Sequence, residues 1–195
     1  MKKRLYFDKI EDMKYISHLD MMRFLERLLK KAKIEVKYSE GFHPRPKMSF
    51  GNPVSLGVEA YDEVMDLELL VEMDNKVLLE KLNAECPRGF RFKGAEDVPR
   101  KSSIAEEFQI MIYEISGDDA TLEKLKKLLE QNEIVEVKIK KGKRKERNLK
   151  ERIQYYKMEG DKLRLELINT SPNVFLGMAE VNPTEVEIKK LGYRK

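Results

Sequence analysis

The side chains most able to do chemistry lie in two short motifs in the N-terminal half of the chain. The sequence SHLD at 17–20 places a histidine and a carboxylate at the start of an amphipathic segment, and SEGFHPRPKMSFG at 39–51 combines aromatic, imidazole and cationic groups. The chain has only two histidines, His18 and His43. Imidazole is the side chain best suited to general acid–base chemistry near neutral pH. The candidates for catalysis are therefore His18, Asp20 and His43.

The second motif favours a binding role. Pro44 and Pro46 hold their neighbours in extended or polyproline-like geometry, a stiffness that a merely connecting loop does not need. A rigid loop that presents an aromatic ring, an imidazole and a guanidinium can stack on bases and bind phosphate. We predict RNA or anion binding here, and a structural clasp is the alternative. The candidate binding residues of this half are Arg23, Phe42, His43, Arg45, Lys47 and Ser49.

Positive charge is concentrated further along the chain. Residues 138–152 carry nine Lys/Arg and two Glu, a net charge of +7, whereas the whole chain carries +4. Such a segment can follow a phosphate backbone, and a solvated hairpin or loop is the alternative. The candidate residues are Lys138, Lys140, Lys141, Lys143, Arg144, Lys145 and Arg147.

Several classes of protein are disfavoured. With a single cysteine, Cys86, the chain has no cysteine-rich zinc site, and its histidines and acids lack the short spacing of a metal site. Phosphate-binding glycine motifs are absent. No run of 18 apolar residues and no signal-peptide apolar region occur, which predicts a cytoplasmic protein without a membrane span. We expect no metal and no cofactor.

Hydrophobic periodicity predicts the element order β-α-β-β-α-β in the first half. The predicted elements are a strand at 3–10, a helix at 18–32 capped by Ser17, strands at 35–40 and 63–73, a helix capped by Asp74 and a strand at 90–98. The second half repeats the order loosely, with a helix at 118–132 between strands at 107–115 and 133–141, then a strand pair around 159–162, a short helix capped by Ser171 and a final strand.

We therefore predict an α+β protein built from two tandem ferredoxin-like (split βαβ) units with antiparallel sheets. The first unit would span 1–97, a linker 98–106 and the second unit 107–195. A helix of this length rises about 22 Å, so the two histidines are not expected to meet. A return of the chain along the sheet could instead bring Lys47 to Phe50 toward the helix start.

The stretch 15–69 resembles a radical-SAM-associated family of uncharacterised domains. The shared features are a Ser-His-Leu-Asp helix start, a loop similar to GFNPHPKISF and a P-x-x-x-G-V-E stretch. The matching residues are Ser17, His18, Leu19, Asp20, Arg23, Gly41, Phe42, Pro44, Pro46, Lys47, Ser49, Phe50, Pro53, Gly57, Val58 and Glu59. This chain departs from the pattern at the first proline, where it has His43 and Arg45 in place of Asn and His. Because a guanidinium does not deprotonate, Arg45 favours anion recognition over acid–base chemistry.

The resemblance implies RNA or ribosome work alongside a radical SAM protein. The chain lacks the CxxxCxxC motif, so it is not the radical SAM catalyst itself. The expected function is an RNA-binding accessory module that acts with a radical SAM enzyme or a ribonuclease, with RNA and that enzyme as partners and neither DNA nor membrane. The alternatives are a metal-independent RNA endonuclease using His18 or His43, and a protein-only adaptor of a radical SAM partner.

Overall fold

The computed structural model describes residues 1–140 and 142–194 and divides into two compact units, Met1–Gln109 and Ile110–Arg194. Lys141, one of the basic candidates, lies outside the described residues. The elements of the first unit are β1 (Lys2–Lys9), α1 (His18–Lys31), β2 (Met48–Phe50), β3 (Glu59–Glu68), α2 (Asn75–Asn83), β4 (Phe90–Val98) and α3 (Ile104–Glu107). Within this unit the strand order is β4-β1-β3-β2, and neighbouring strands are antiparallel.

Helix α1 forms because its start is capped and one face is apolar. Ser17 Oγ accepts a hydrogen bond from the backbone N–H of Asp20 at 3.1 Å, which satisfies one of the free donors of the first turn. The buried face of α1 carries Met21, Leu25, Leu28 and Leu29. These side chains join a core with the alternate residues Leu5, Phe7, Met65 and Leu67 of β1 and β3. Helix α1 thus covers one face of the sheet.

The prediction of a strand at 35–40 is wrong. This segment forms only two isolated bridges, Val36 with Leu69 and Tyr38 with Pro46, and the regular strand is β2 at 48–50. Pro46 has no N–H to continue a ladder opposite Tyr38, so regular pairing resumes only after the prolines.

The segment 98–106, predicted as a linker, lies within the first unit. Lys2 Nζ donates to the carbonyl of Ser102 at 2.6 Å, and Ile104 is buried. In α3, the Glu107 carboxylate accepts from Arg4, which also forms a bidentate pair with Asp66 at 2.8 and 3.1 Å. Arg4 and Asp66 are 2% and 1% exposed. A buried ionic network therefore ties α3 to β1 and β3.

The second unit contains four strands with antiparallel neighbours and a separate two-stranded hairpin. Its elements are β5 (Ile110–Gly117), α4 (Asp119–Glu130), β6 (Val135–Lys140), β7 (Lys143–Asn148), β8 (Ile153–Glu159), β9 (Lys162–Ile168), α5 (Pro172–Met178) and β10 (Val186–Arg194). The strand order is β10-β5-β9-β8, while β6 and β7 pair only with each other among the described residues. The predicted helix capped by Ser171 is confirmed.

The α+β class is confirmed by a mostly antiparallel sheet and five α-helices in the described part of the chain. Among these residues, no helix is both long enough and apolar enough to cross a membrane.

Candidate functional site

The proline-containing loop is closed at its base and projects at its tip. The backbone N–H of Ser39 donates to the carbonyl of Arg45 at 2.8 Å, and the N–H of Arg45 donates to Ser39 Oγ at 3.0 Å. Gly41 has a φ of +119°, a backbone conformation that favours glycine and makes the turn possible. Phe42 follows at the tip and is fully exposed, with a relative accessibility of 102%. The loop therefore presents an aromatic ring to solvent.

A groove of about 390 Å³ lies between this loop and α1. Its walls include Phe42, His43 and Arg45 from the loop and Arg23 and Glu26 from the helix. The structure thus brings four of the predicted binding residues together, although they lie some 20 positions apart in the sequence.

A second groove, of about 410 Å³, shares Arg45 with the first one. Lys47 and Ser49 line it and are exposed, and Lys2 and Asp66 line its other side. Because Lys2 pairs with Asp66 at 2.9 Å, the cations that remain for an external anion are mainly Arg45 and Lys47. All six predicted binding residues of the N-terminal half therefore line two neighbouring grooves.

The Asp20 carboxylate is engaged by its neighbours at the N-terminus of α1. Its carboxylate accepts from Ser17 Oγ at 2.7 Å and lies 3.3 Å from the Arg23 guanidinium. The hydrogen bond from Ser17, aided by Arg23, holds the pKa of Asp20 below its usual value. Asp20 is therefore a stable anion at the positive end of the helix and serves α1 more directly than it serves acid–base chemistry.

The two histidines line different cavities. His43 lies in the loop groove, whereas His18 lies at the wall of a small cavity of about 20 Å³ beneath the start of α1. The ring of His18 meets Phe50 edge to face, with centroids 5.3 Å apart. The predicted return of Phe50 to the helix start is thus confirmed.

Sequence reasoning missed two charged residues in the His18 cavity. Lys9 is 4% exposed and Glu63 is 6% exposed, and both line the cavity. Lys9 Nζ donates to the carbonyl of Ile16 at 3.3 Å. Burial lowers the pKa of Lys9, while the Glu63 carboxylate acts in the opposite direction. A buried, perturbed lysine beside a carboxylate and an imidazole is typical of functional sites, although structural ion pairs give the same signature.

The pattern of β1 contained a usable clue. Leu5 and Phe7 face the core, and period-two alternation places Lys9 on that same face. Glu63 is directly opposite Phe7 in the register of β3 and β1, which places it there as well. A charged residue at a core position of a strand is the signal that could have identified both.

The basic segment forms the hairpin of β6 and β7. In its register Lys138 is opposite Lys145 and Glu136 is opposite Arg147, so these residues share one face. The other face carries Val135, Val137 and Ile139, which are 41, 47 and 77% exposed. The backbones of Lys140 and Lys143 are also paired opposite each other. One face of the hairpin is therefore mainly basic, whereas the other combines an apolar stripe from β6 with the polar β7 residues Arg144, Glu146 and Asn148.

Acidic neighbours neutralise part of the basic hairpin. Glu136 lies 2.9 Å from Lys138 and 3.0 Å from Arg147, and Arg144 pairs with Glu146 at 2.6 Å. Lys145 is exposed and directly opposite Lys138. Like charges opposite each other on a two-stranded ribbon disfavour pairing, so an external anion would relieve them.

The family model described as "uncharacterized protein conserved in bacteria (DUF2344)" matches residues 2–178. This chain belongs to the DUF2344 family. The resemblance to an uncharacterised domain family is thereby confirmed, and the radical SAM association stays a prediction. No curated protein matches the chain. It is similar to the crystal structure of an unknown protein from Galdieria sulphuraria at 12% identity and a TM-score of 0.30, covering 99% of this chain and 98% of that one.

Metal and thiol chemistry find no support in the described residues of this DUF2344 chain. Within 1–140 and 142–194, no group of three or more His, Cys, Asp or Glu residues is placed to hold a metal ion. Burial raises the pKa of Cys86 to about 11, so its thiol is protonated at neutral pH and a poor nucleophile.

Proposed function

We propose that this chain is an RNA-binding accessory module that acts with a radical SAM enzyme or a ribonuclease. The observation that carries the proposal is the full exposure of Phe42 beside a groove lined by Arg45 and by Arg23, which also pairs with Asp20 at 3.3 Å. An exposed phenyl ring contributes nothing to the core, whereas a base can stack on it while guanidinium groups bind the adjacent phosphates. Single-stranded RNA is the ligand that this combination fits best.

The basic face of the hairpin supports the same proposal. Placing Lys138 opposite Lys145 is unfavourable in the free protein, and a phosphate between them would turn repulsion into two attractive contacts. Such contacts supply affinity without reading sequence. The hairpin would therefore add salt-dependent affinity to the recognition provided by the loop.

We infer that both units are ferredoxin-like. Each consists of four antiparallel strands that can be read as order 4-1-3-2, namely β4-β1-β3-β2 and β10-β5-β9-β8. Helices α1 and α2 in the first unit, and α4 and α5 in the second, occupy the two connections expected of a split βαβ unit. The β6–β7 hairpin would then be an insertion that precedes the second strand of its unit.

The partner is inferred from the resemblance and from the hairpin. The exposed side chains of Val137 and Ile139 form an apolar stripe that a protein surface could cover. A radical SAM protein is the partner that the resemblance implies. An adaptor that binds such a protein without RNA is the competing possibility, and it predicts no RNA affinity at low salt.

RNA cleavage is a second candidate function, favoured by one observation. His18 shares its cavity with Lys9 and Glu63, so three groups able to exchange protons lie together. Incubation of the metal-free protein with RNA should then give cleavage that is lost in His18→Ala. Intact RNA after prolonged incubation would exclude this activity.

The binding proposal is tested by fluorescence anisotropy with a labelled single-stranded RNA of about 12 nucleotides. Affinity should fall steeply between about 50 and 200 mM salt, and Lys138→Ala/Lys145→Ala should reduce both affinity and salt slope. The matched control is Lys124→Ala/Lys127→Ala, which removes the same charge from exposed positions on α4. If the affinities of the two double variants depended equally on salt concentration, the hairpin would not be part of the RNA-binding surface.

A further inference from the structure

We propose that the cavity beneath the start of α1 binds a ribose 2′-hydroxyl, so that the chain distinguishes RNA from DNA. The inference rests on the proposed function, because it assumes that RNA reaches this surface. It concerns a different site from the Phe42 groove, and its key residues are Lys9 and Glu63.

The size of the cavity selects a small group. Its volume of about 20 Å³ has room for about one water-sized group and none for a base or a phosphate. Half-buried His18 and exposed Pro53 belong to its wall, so the cavity lies at the surface. A single hydroxyl that projects from a larger ligand fits this volume.

The polar lining matches a hydroxyl. An ammonium can only donate hydrogen bonds and an ionised carboxylate can only accept them, whereas a hydroxyl does both. Lys9 has three N–H donors, and one of them is directed to the Ile16 carbonyl at 3.3 Å. The same hydroxyl can thus accept from Lys9 and donate to Glu63.

The charge of the lining argues against phosphate as the ligand. Lys9 and Glu63 together carry no net charge, so the cavity offers no excess positive charge to an anion. The remaining wall is largely apolar, with Phe7, Met21 and Phe50 among its members. Such a wall offers no partners for the several oxygens of a phosphate, whereas a single hydroxyl needs only the two polar groups, and the 2′-hydroxyl is the group by which proteins tell RNA from DNA.

The test measures affinity for four versions of one single strand of about 12 nucleotides that contains only adenine and cytosine. The versions are RNA, DNA, 2′-fluoro and 2′-O-methyl, so the bases are identical throughout. RNA should bind at least about tenfold more tightly than DNA, the smallest factor expected for a hydroxyl that makes hydrogen bonds to two charged groups. The 2′-fluoro strand cannot donate to Glu63 and the 2′-O-methyl strand overfills the cavity, so both should bind no better than DNA.

A variant locates the effect. Lys9→Met/Glu63→Leu replaces both buried charged side chains by apolar residues of similar size, so neither charge is left in the cavity without the other. It should lower RNA affinity to the DNA value and leave DNA affinity unchanged, with thermal unfolding as the check on folding. The comparison of strands on the unmodified protein does not depend on the variant's stability.

The outcomes separate the two proposals. Equal, salt-dependent affinity of the unmodified protein for RNA and DNA would overturn the hydroxyl site and leave nucleic-acid binding intact. A preference for RNA that survives in the double variant would also overturn it. No binding of any strand at low salt would overturn the proposed function, and the hydroxyl site with it.

Discussion

The ring of His18 packs edge to face against Phe50, with planes at 86° to each other. This contact joins the first residue of α1 to the end of the 39–51 segment, so the two motifs that stand out in the sequence meet in the fold. His43, at the other end of that segment, lies beside Arg23 in a different groove. The motifs therefore build two adjacent features, an exposed aromatic groove and a small cavity that contains Lys9 and Glu63, and do not build one site containing both histidines.

Reversing one charge on the β6–β7 hairpin should have opposite effects on the stability of the hairpin and on RNA binding. Lys145→Glu places a carboxylate opposite Lys138 and should stabilise the β6–β7 pairing by about 0.2–1 kcal/mol, because it replaces like charges with opposite ones. The same change should weaken RNA binding. Hydrogen exchange of the hairpin amides and anisotropy measure the two effects, and tighter RNA binding by Lys145→Glu would contradict the account.

The buried ionic network should matter for stability. Asp66→Asn removes the buried carboxylate that pairs with Arg4 and Lys2 and leaves Arg4 with Glu107, so it should cost about 1–3 kcal/mol of unfolding free energy, the penalty for a buried group that loses one partner. Glu26→Gln is the matched control, because Glu26 pairs with Lys30 at 3.0 Å on the exposed surface of α1, and it should cost less than about 0.5 kcal/mol. Urea unfolding measures both, and comparable losses would show that the network adds nothing beyond a surface pair.

The cap of α4 should contribute to acid sensitivity. A hydrogen bond of 2.7 Å from the backbone N–H of Thr121 holds the pKa of Asp118 below its usual value. A carboxyl with a depressed folded-state pKa stabilises the protein above its unfolded-state pKa, and that stability is lost as the pH falls through the folded-state value. Asp118→Asn keeps a capping oxygen but cannot titrate.

The free energy of unfolding of Asp118→Asn should therefore fall less between about pH 5 and about pH 2 than that of the unmodified protein. Urea unfolding at several pH values measures this difference. Asp20 and Glu107, whose pKa values are also depressed, are present in both proteins and supply the remaining acid sensitivity. Parallel curves would mean that the α4 cap does not contribute.

Local signals predicted the well-capped and regularly alternating elements. The Ser17 cap placed the start of α1 at His18, and the apolar alternation of β4 gave its bounds at 90–98. Strand β7 lacked any such signal, because KRKERN has no apolar residue, and its extended conformation comes from pairing with β6. Propensity is a weak guide where a partner strand decides the conformation.

The candidate site was only partly predictable for a similar reason. The loop residues were recognised because their types are unusual together, and the structure places them on one surface. The pair of Lys9 and Glu63 was missed, since charged residues are normally expected outside a core. Their burial follows from the register of β1 and β3. A single sequence indicates that burial only if the alternation of inward and outward side chains is followed to the end of each strand.

The most direct test of the central claim is the affinity of Phe42→Ala for single-stranded RNA at low salt. Because Phe42 is fully exposed, this variant should unfold at the same urea concentration as the unmodified protein. Its free energy of RNA binding should become less favourable by about 1–3 kcal/mol, the contribution of one base stacked on an aromatic ring. Leu70→Ala, at a position that is 62% exposed, is the control and should bind normally. Unchanged affinity in Phe42→Ala would contradict the account and would identify the loop as something other than an RNA-binding element.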